Sequence, residues 1–178
     1  MRQFRARKLV RVSRRFGLLW AVVAMPAVLL INSCNTDFYS PTLSLAGIPL
    51  SADVTNAMDL AIEDEYKARA TYDAVIANLG PVIPFVRIRE AEASHIEALR
   101  ILYARHGLAA PADPYTAPIE VPGTLAESCR LGVEAEVANI VMYDQLLASI
   151  TVPDVVRVFE QLRAASRDNH LPTFRSCS

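Results

Sequence analysis

From residue 55 onward, apolar positions recur every three to four residues, and Gly, Pro and Asx/Ser/Thr clusters cut the stretch into four segments. A first helix is predicted from a cap near Asp53 to Thr55 through Leu79, ending at Gly80-Pro81. A second runs from about Pro84 to His106 and ends at Gly107. A third starts near Thr124 and ends near Ile150. A fourth starts after Thr151 or Val152, takes Pro153 and Asp154 into its first turn, and fades near Phe174. Nothing here argues for strands, so the class is all-α. Between the second and third helices, Pro111, Pro114, Pro118 and Pro122 mark Leu108 to Gly123 as a connection of sixteen residues. A helix of about 24 residues spans about 36 Å and sixteen extended residues reach about 50 Å, so this connection can cross the whole length of the helices. Two antiparallel helical hairpins joined by a long crossover are therefore expected, rather than a simple up-down-up-down bundle.

The apolar stripes are interrupted by polar residues. The first helix gives Met58, Ile62, Glu65, Arg69, Tyr72, Ile76 and Leu79; the second gives Phe85, Ile88, Glu92, His95, Leu99 and Leu102. The third gives Cys129, Val133, Glu136, Ile140, Tyr143, Leu147 and Ile150, and the fourth gives Val156, Phe159, Leu162, Ser166, His170 and Phe174. The hairpins repeat one another: Glu65 is followed seven residues later by Tyr72-Asp73, and Glu136 seven residues later by Tyr143-Asp144, each pair leading to a helix with a histidine.

An unpaired carboxylate in an apolar interior costs several kcal/mol, so Glu65, Glu92 and Glu136 must be protonated, paired with cations or bound to metal. Glu92-Ala93-Ser94-His95 has the Glu-x-x-His spacing that puts both side chains on one helical face. Counted from Gly80, Glu65 lies fifteen residues back and His95 fifteen forward, so antiparallel packing sets them at one height. Counted from Val152, Glu136 lies sixteen back and His170 eighteen forward, which brings all four helices to one level. The alternative is a salt-bridge network in which Arg69 and Arg167 neutralise the glutamates, with His95 and His170 as hydrogen-bonded core residues. Tyr72 and Tyr143 read as core aromatics whose hydroxyls find partners. Glu134 and His106 read as surface residues.

This arrangement resembles the ferritin-like superfamily, whose di-iron members place one Glu on each of two helices and Glu-x-x-His on the other two. Glu65, Glu92, His95, Glu136 and His170 match that pattern. Asp64-Glu65-Tyr66-Lys67-Ala68 and Ala165-Ser166-Arg167-Asp168-Asn169-His170-Leu171-Pro172 look more narrowly like an uncharacterised ferritin-like family, the domain of unknown function numbered 2202. The resemblance covers roughly residues 52 to 177 and implies a metal-binding ferritin-like four-helix bundle, with no established reaction. One position departs from the pattern: three residues before His170, where a second carboxylate is expected, stands Arg167. A single ion held by Glu65, Glu92 and His95, or a looser pair completed by Glu136, His170 and water, follows from that departure. Carboxylate and imidazole donors suit iron or manganese, with zinc also allowed.

The N-terminus changes the setting. Arg2, Arg5, Arg7, Lys8, Arg11, Arg14 and Arg15 precede an uncharged apolar run of sixteen residues, Phe16 to Ile31, which has the layout of an export signal and is short for a membrane-spanning helix of about 20 residues. Ile31-Asn32-Ser33-Cys34 resembles a bacterial lipobox with Cys34 as the lipidated residue, although Asn32 stands where a small residue is usual. Ser13-Arg14-Arg15-Phe16-Gly17-Leu18 partly resembles a twin-arginine signal, and an uncleaved anchor would leave the domain on the same side of the membrane. Residues 1–34 are thus read as signal, 35–54 as a tether and 55–177 as the bundle. The signal holds seven of the eighteen Lys and Arg, leaving eleven against nineteen Asp and Glu, a net charge of −8. So acidic a domain has no electrostatic footprint for nucleic acid. With Cys34 lipidated, Cys129 and Cys177 are left as one candidate disulfide at the start of the third helix and just past the end of the fourth, ends that an antiparallel hairpin brings together; the alternative is two free thiols at a helix end. The expected protein is an extracytoplasmic, membrane-anchored metal-binding bundle, possible as a homo-oligomer, with iron oxidation, peroxide consumption or metal sequestration as its chemistry. The alternative is a metal-free bundle displayed on the membrane as a binding or structural module.

Overall fold

A computed structural model describes residues 49–178; the export segment, Cys34 and the tether up to residue 48 lie outside the described residues. All regular structure is helical: α1 (Ala52–Leu79), α2 (Ile83–Arg105), α3 (Leu125–Leu147), α4 (Pro153–Ala165) and a short α5 (Leu171–Arg175). Among the described residues there is no strand, and no helix is long and apolar enough to cross a membrane.

Local chemistry sets the helix ends. Ser51 caps α1, its hydroxyl accepting from Val54 N–H at 3.3 Å, so the helix begins earlier than the expected cap at Asp53 to Thr55 and the tether stops at Leu50. Thr124 caps α3 by accepting from Glu127 N–H at 3.3 Å while its hydroxyl donates to Glu127 Oε2 at 2.6 Å. Pro84 and Pro153 open α2 and α4, where a missing N–H costs no helical hydrogen bond. Gly80 (φ 85°) and Gly107 (φ 68°) terminate α1 and α2 in a conformation that a side chain would strain.

Cross-helix contacts give the directions. Tyr103 donates to Asp59 and Arg89 to Asp73, so α2 runs antiparallel to α1. Tyr143 donates to Glu65 and Tyr72 to Glu136, so α3 is also antiparallel to α1. His106 faces Asp154 while Glu92 faces His170, which sets α4 antiparallel to α2. The connection from α2 to α3 travels along α1: Tyr66 donates to the Pro111 carbonyl at 3.1 Å, Arg69 pairs with Asp113, and Asn78 donates to the Pro122 carbonyl at 3.2 Å.

Two apolar clusters fill the interior on either side of a polar layer. One contains Met58, Ile62, Leu99, Leu102, Phe159 and Leu162; the other contains Val75, Phe85, Ile88 and Phe174. Each large side chain taken fully out of water contributes about 1.5–3 kcal/mol. The second cluster is tightened by the Cys129–Cys177 disulfide, with Cα atoms 5.8 Å apart, and by Gly132, where an added Cβ would lie 2.7 Å from the Phe174 ring.

The fourth segment is not the single helix expected. Between α4 and α5, Ser166–His170 forms a π-helical turn, closed by the Leu171 N–H onto the Ser166 carbonyl. Pro172 has no N–H to offer the carbonyl four residues earlier, and the wider turn accommodates that loss. Thr173 helps by donating its hydroxyl to the Asn169 carbonyl at 2.6 Å. The stripe residues Leu162, Ser166, His170 and Phe174 succeed one another every four residues, which would drift by about 40° per step on a regular α-helix. The inserted residue absorbs the drift, so all four remain buried.

Candidate metal centre

The five residues singled out as ligands, Glu65 on α1, Glu92 and His95 on α2, Glu136 on α3 and His170 on the π turn, meet in the layer between the two apolar clusters. Glu65, Glu92 and Glu136 are 1%, 2% and 2% exposed and His170 is 4% exposed, while His95 is half-buried. They form two triads that share Glu92, namely Glu65/Glu92/His95 and Glu92/Glu136/His170, each with ligand atoms within 4.8 Å of one another. His95 Nδ1 lies 3.1 Å from Glu65 Oε2 and 2.9 Å from Glu92 Oε2. His170 Nδ1 lies 3.1 Å from Glu92 Oε1 and 3.4 Å from Glu136 Oε2. Glu92 therefore turns one oxygen toward each imidazole. The two rings lie nearly parallel, with centroids 5.4 Å apart and planes 22° apart.

The outer oxygens are held from the opposite hairpin. Tyr143 donates to Glu65 Oε1 and Tyr72 to Glu136 Oε1, both at 2.7 Å. Burial, then the neighbouring carboxylates, push both phenols well above their usual range, so they stay protonated donors. The reading of these tyrosines as core aromatics with a bonded hydroxyl omitted that their partners are the glutamates.

The arginine-neutralised network expected as the alternative does not form. Arg69 turns outward to Asp113, and Arg167 is exposed, its guanidinium donating to both oxygens of Asp168 at 2.8 and 2.9 Å. Among the described residues, the only cationic groups that pair with the three glutamates are the two imidazoles. Burial, together with the Glu92 charge, raises Glu65 to about 7. Burial alone would depress both histidines, yet the carboxylates outweigh it and raise His95 to about 10 and His170 to about 9. Glu92 is pushed up by burial and further down by the facing His170 and His95 imidazoles, with a net lowering. The buried His170 Nδ1 makes no hydrogen bond in spite of its two near carboxylates. Three carboxylates and two imidazoles, one with an orphaned ring nitrogen, converging in a buried layer are a donor set that fits divalent cations.

A second polar chain escaped the sequence reading. Ser166 donates to Asn139 Oδ1 at 2.8 Å and Asn139 Nδ2 donates to Asp64 Oδ2 at 2.8 Å, tying the π turn to α3 and α1. Burial pushes the Asp64 carboxyl up, against the lowering effect of Asn139, and Glu65 and Glu136 add to the rise. Asn139 lies one turn beyond Glu136 on the same face, a spacing that could have revealed it. Beside this chain, between α1 and α3, a cavity of about 270 Å³ reaches Tyr72, Glu92 and Glu136 and opens past Lys67, Thr71 and Glu134. Glu134 is exposed, as expected, whereas His106 is half-buried against Asp154 at 3.1 Å.

No protein-family model matches the sequence, and no curated protein matches it. The chain is similar in fold to the crystal structure of a hypothetical protein from Methanococcus jannaschii DSM 2661, with a TM-score of 0.65 at 20% sequence identity, over 74% of this chain and 82% of that one.

Proposed function

We propose that this chain is an exported, ferritin-like metal-binding protein that holds one or two divalent cations, iron or manganese by donor chemistry with zinc allowed, at Glu65, Glu92, His95, Glu136 and His170. The observation that carries the reading is the charge imbalance in the buried layer: three carboxylates, with no Lys or Arg pairing with them among the described residues, facing two imidazoles. Glu65, Glu92 and His95 would hold one cation, and Glu92, Glu136 and His170 a second. A redox-active cation bound there supplies one-electron chemistry suited to iron oxidation or peroxide consumption, and without turnover the same site sequesters metal.

The chain's own residues do the rest. Tyr72 and Tyr143 each occupy one oxygen of a terminal glutamate and leave the other directed at the site. The apolar clusters above and below lower the local dielectric, which strengthens the charge interactions in the layer. Both imidazoles must give up a proton to act as ligands, so cation uptake releases protons. Antiparallel neighbours on adjoining sides and a crossover running the length of α1 support a ferritin-like four-helix bundle. The Cys129–Cys177 disulfide supports an oxidising compartment, in keeping with export and anchoring through a lipid on Cys34. Elemental analysis after anaerobic Fe(II) or Mn(II) loading tests the reading. Cation retained by the wild type and lost in Glu92→Ala and His95→Ala supports it; less than about a tenth of an equivalent of any transition metal in the wild type defeats it.

A further inference from the structure

The buried polar layer is open to solvent on one side. Ala68 and Thr71 on α1 face Ala135 and Ala138 on α3, and these side chains are too short to meet, which leaves the cavity of about 270 Å³ between the two helices. Tyr72, Glu92 and Glu136, all buried, form its floor, while Lys67 and Glu134 stand exposed at its mouth. Liquid water takes about 30 Å³ per molecule, so a cation can pass with part of its hydration shell. Cavities beside the crossover, one walled by Pro111 and others by Ala77 and Pro118, touch none of the five candidate ligands.

The lining selects by charge. It carries four carboxylates, Asp64, Glu92, Glu134 and Glu136, against the single ammonium of Lys67. Protonated imidazoles on His95 and His170 behind the floor would offset two of the remaining three negative charges and still leave one in excess, so the passage draws cations and repels anions. The inner end is built to receive one. Tyr72 occupies Glu136 Oε1 at 2.7 Å, which leaves Oε2 3.4 Å from His170 Nδ1, and Glu92 Oε1 stands 3.1 Å from the same nitrogen. That nitrogen, on a residue 4% exposed, makes no hydrogen bond. Glu65 and His95 do not line the cavity, so an ion coming in meets the Glu92/Glu136/His170 triad before the Glu65/Glu92/His95 triad. The competing way in is past His95, whose side chain is 13% exposed on α2.

We propose that the cavity between α1 and α3 is the entrance by which divalent cations reach the buried layer, with Glu134 and Asp64 guiding them to Glu136 and Glu92. The inference rests on the metal reading above, and rates separate it from that reading, which concerns affinity. Co(II) uptake is followed by visible absorption after rapid mixing, release is followed after mixing the loaded protein with excess EDTA, and Kd is measured at equilibrium. Ala138→Leu narrows the passage at an exposed position that touches no candidate ligand, so it raises the barrier without altering either end state. Uptake and release should both slow by the same factor, at least about fivefold, with Kd within about twofold of the wild type. Glu134→Gln, also exposed, should slow uptake about threefold at 0.01 M salt and much less at 0.1 M, where the screening length falls from about 30 Å to about 10 Å. Ala98→Leu, one turn after His95 on α2, should leave both rates within about twofold of the wild type. Wild-type rates in Ala138→Leu, or slowing by Ala98→Leu alone, overturn the inference and leave the metal reading standing. No bound cobalt in the wild type removes both.

Discussion

Glu92→Gln removes the one negative charge that both triads share. Glu92 is 2% exposed, with one oxygen 2.9 Å from His95 Nδ1 and the other 3.1 Å from His170 Nδ1, so both triads lose a ligand at once. A unit charge pair at about 4 Å in surroundings of effective dielectric near 20 is worth about 4 kcal/mol. Losing it should therefore weaken cation binding on both sides of Glu92 by on the order of a thousandfold. Glu65→Gln and Glu136→Gln each touch a single triad, so each should cost one cation and leave the other within about tenfold of its original affinity. Glutamine keeps the volume, and far-UV circular dichroism should report an intact helical fold in all three variants. Isothermal titration with Mn(II) reads stoichiometry and Kd directly. A Glu92→Gln protein that binds the wild-type number of cations with Kd within about threefold would refute the shared-ligand reasoning, as would a Glu65→Gln protein that loses both sites.

Three further outcomes follow from the same contacts. In the cation-free protein His95 and His170 have pKa values raised from 6.5 to about 10 and about 9, so their stabilisation is complete below pH 6.5 and disappears as pH rises toward 10. Glu65, raised from 4.5 to about 7, acts with the same sign over its own range. The melting temperature of chelator-treated protein should thus fall between pH 6.5 and 10, and a flat or rising profile would contradict the assignment. Reducing Cys129–Cys177, which are 48 residues apart, should lower the free energy of unfolding by about 4 kcal/mol in urea titrations, and a loss under about 1 kcal/mol would show that the cross-link constrains little. Gly132→Ala gains helix propensity but drives a methyl group to 2.7 Å from the Phe174 ring, itself 5.0 Å from Phe85 and 5.2 Å from Tyr72 between ring centroids, so a net destabilisation of about 1–2 kcal/mol is expected by calorimetry.

Much of the helical layout was legible because its signals are local. Thr124, Pro84, Pro153, Gly80 and Gly107 stop and start the helices by backbone chemistry acting within one turn, while the cap of α1 was expected two to four residues past Ser51. The convergence of the glutamates and histidines was legible too, because antiparallel packing turns distance from a turn into height. The destinations of Arg69 and Arg167 were not. Arg69 leaves the interior for Asp113, and that partner's position depends on how the crossover lies along α1, which no periodicity records. The alternative with Arg167 in the core needs a regular α-helix; with the π turn Arg167 faces outward, while Ser166 stays on the buried stripe. The signal was present in the four-residue steps from Leu162 to Phe174 and in Pro172, read together. On α4, Val155 is buried and Val156 half-buried, the reverse of the expected stripe: the step back from the buried Phe159 is four residues rather than three.

Crystals of the protein grown with Mn(II) and measured for anomalous scattering put the central claim to its most direct trial. Density enclosed by Glu65, Glu92, His95, Glu136 and His170, with a peak on the His95 side of Glu92 and a second on the His170 side when both sites fill, is the expected result. An anomalous map with nothing in that layer, and manganese only at surface carboxylates such as Asp168, would contradict it.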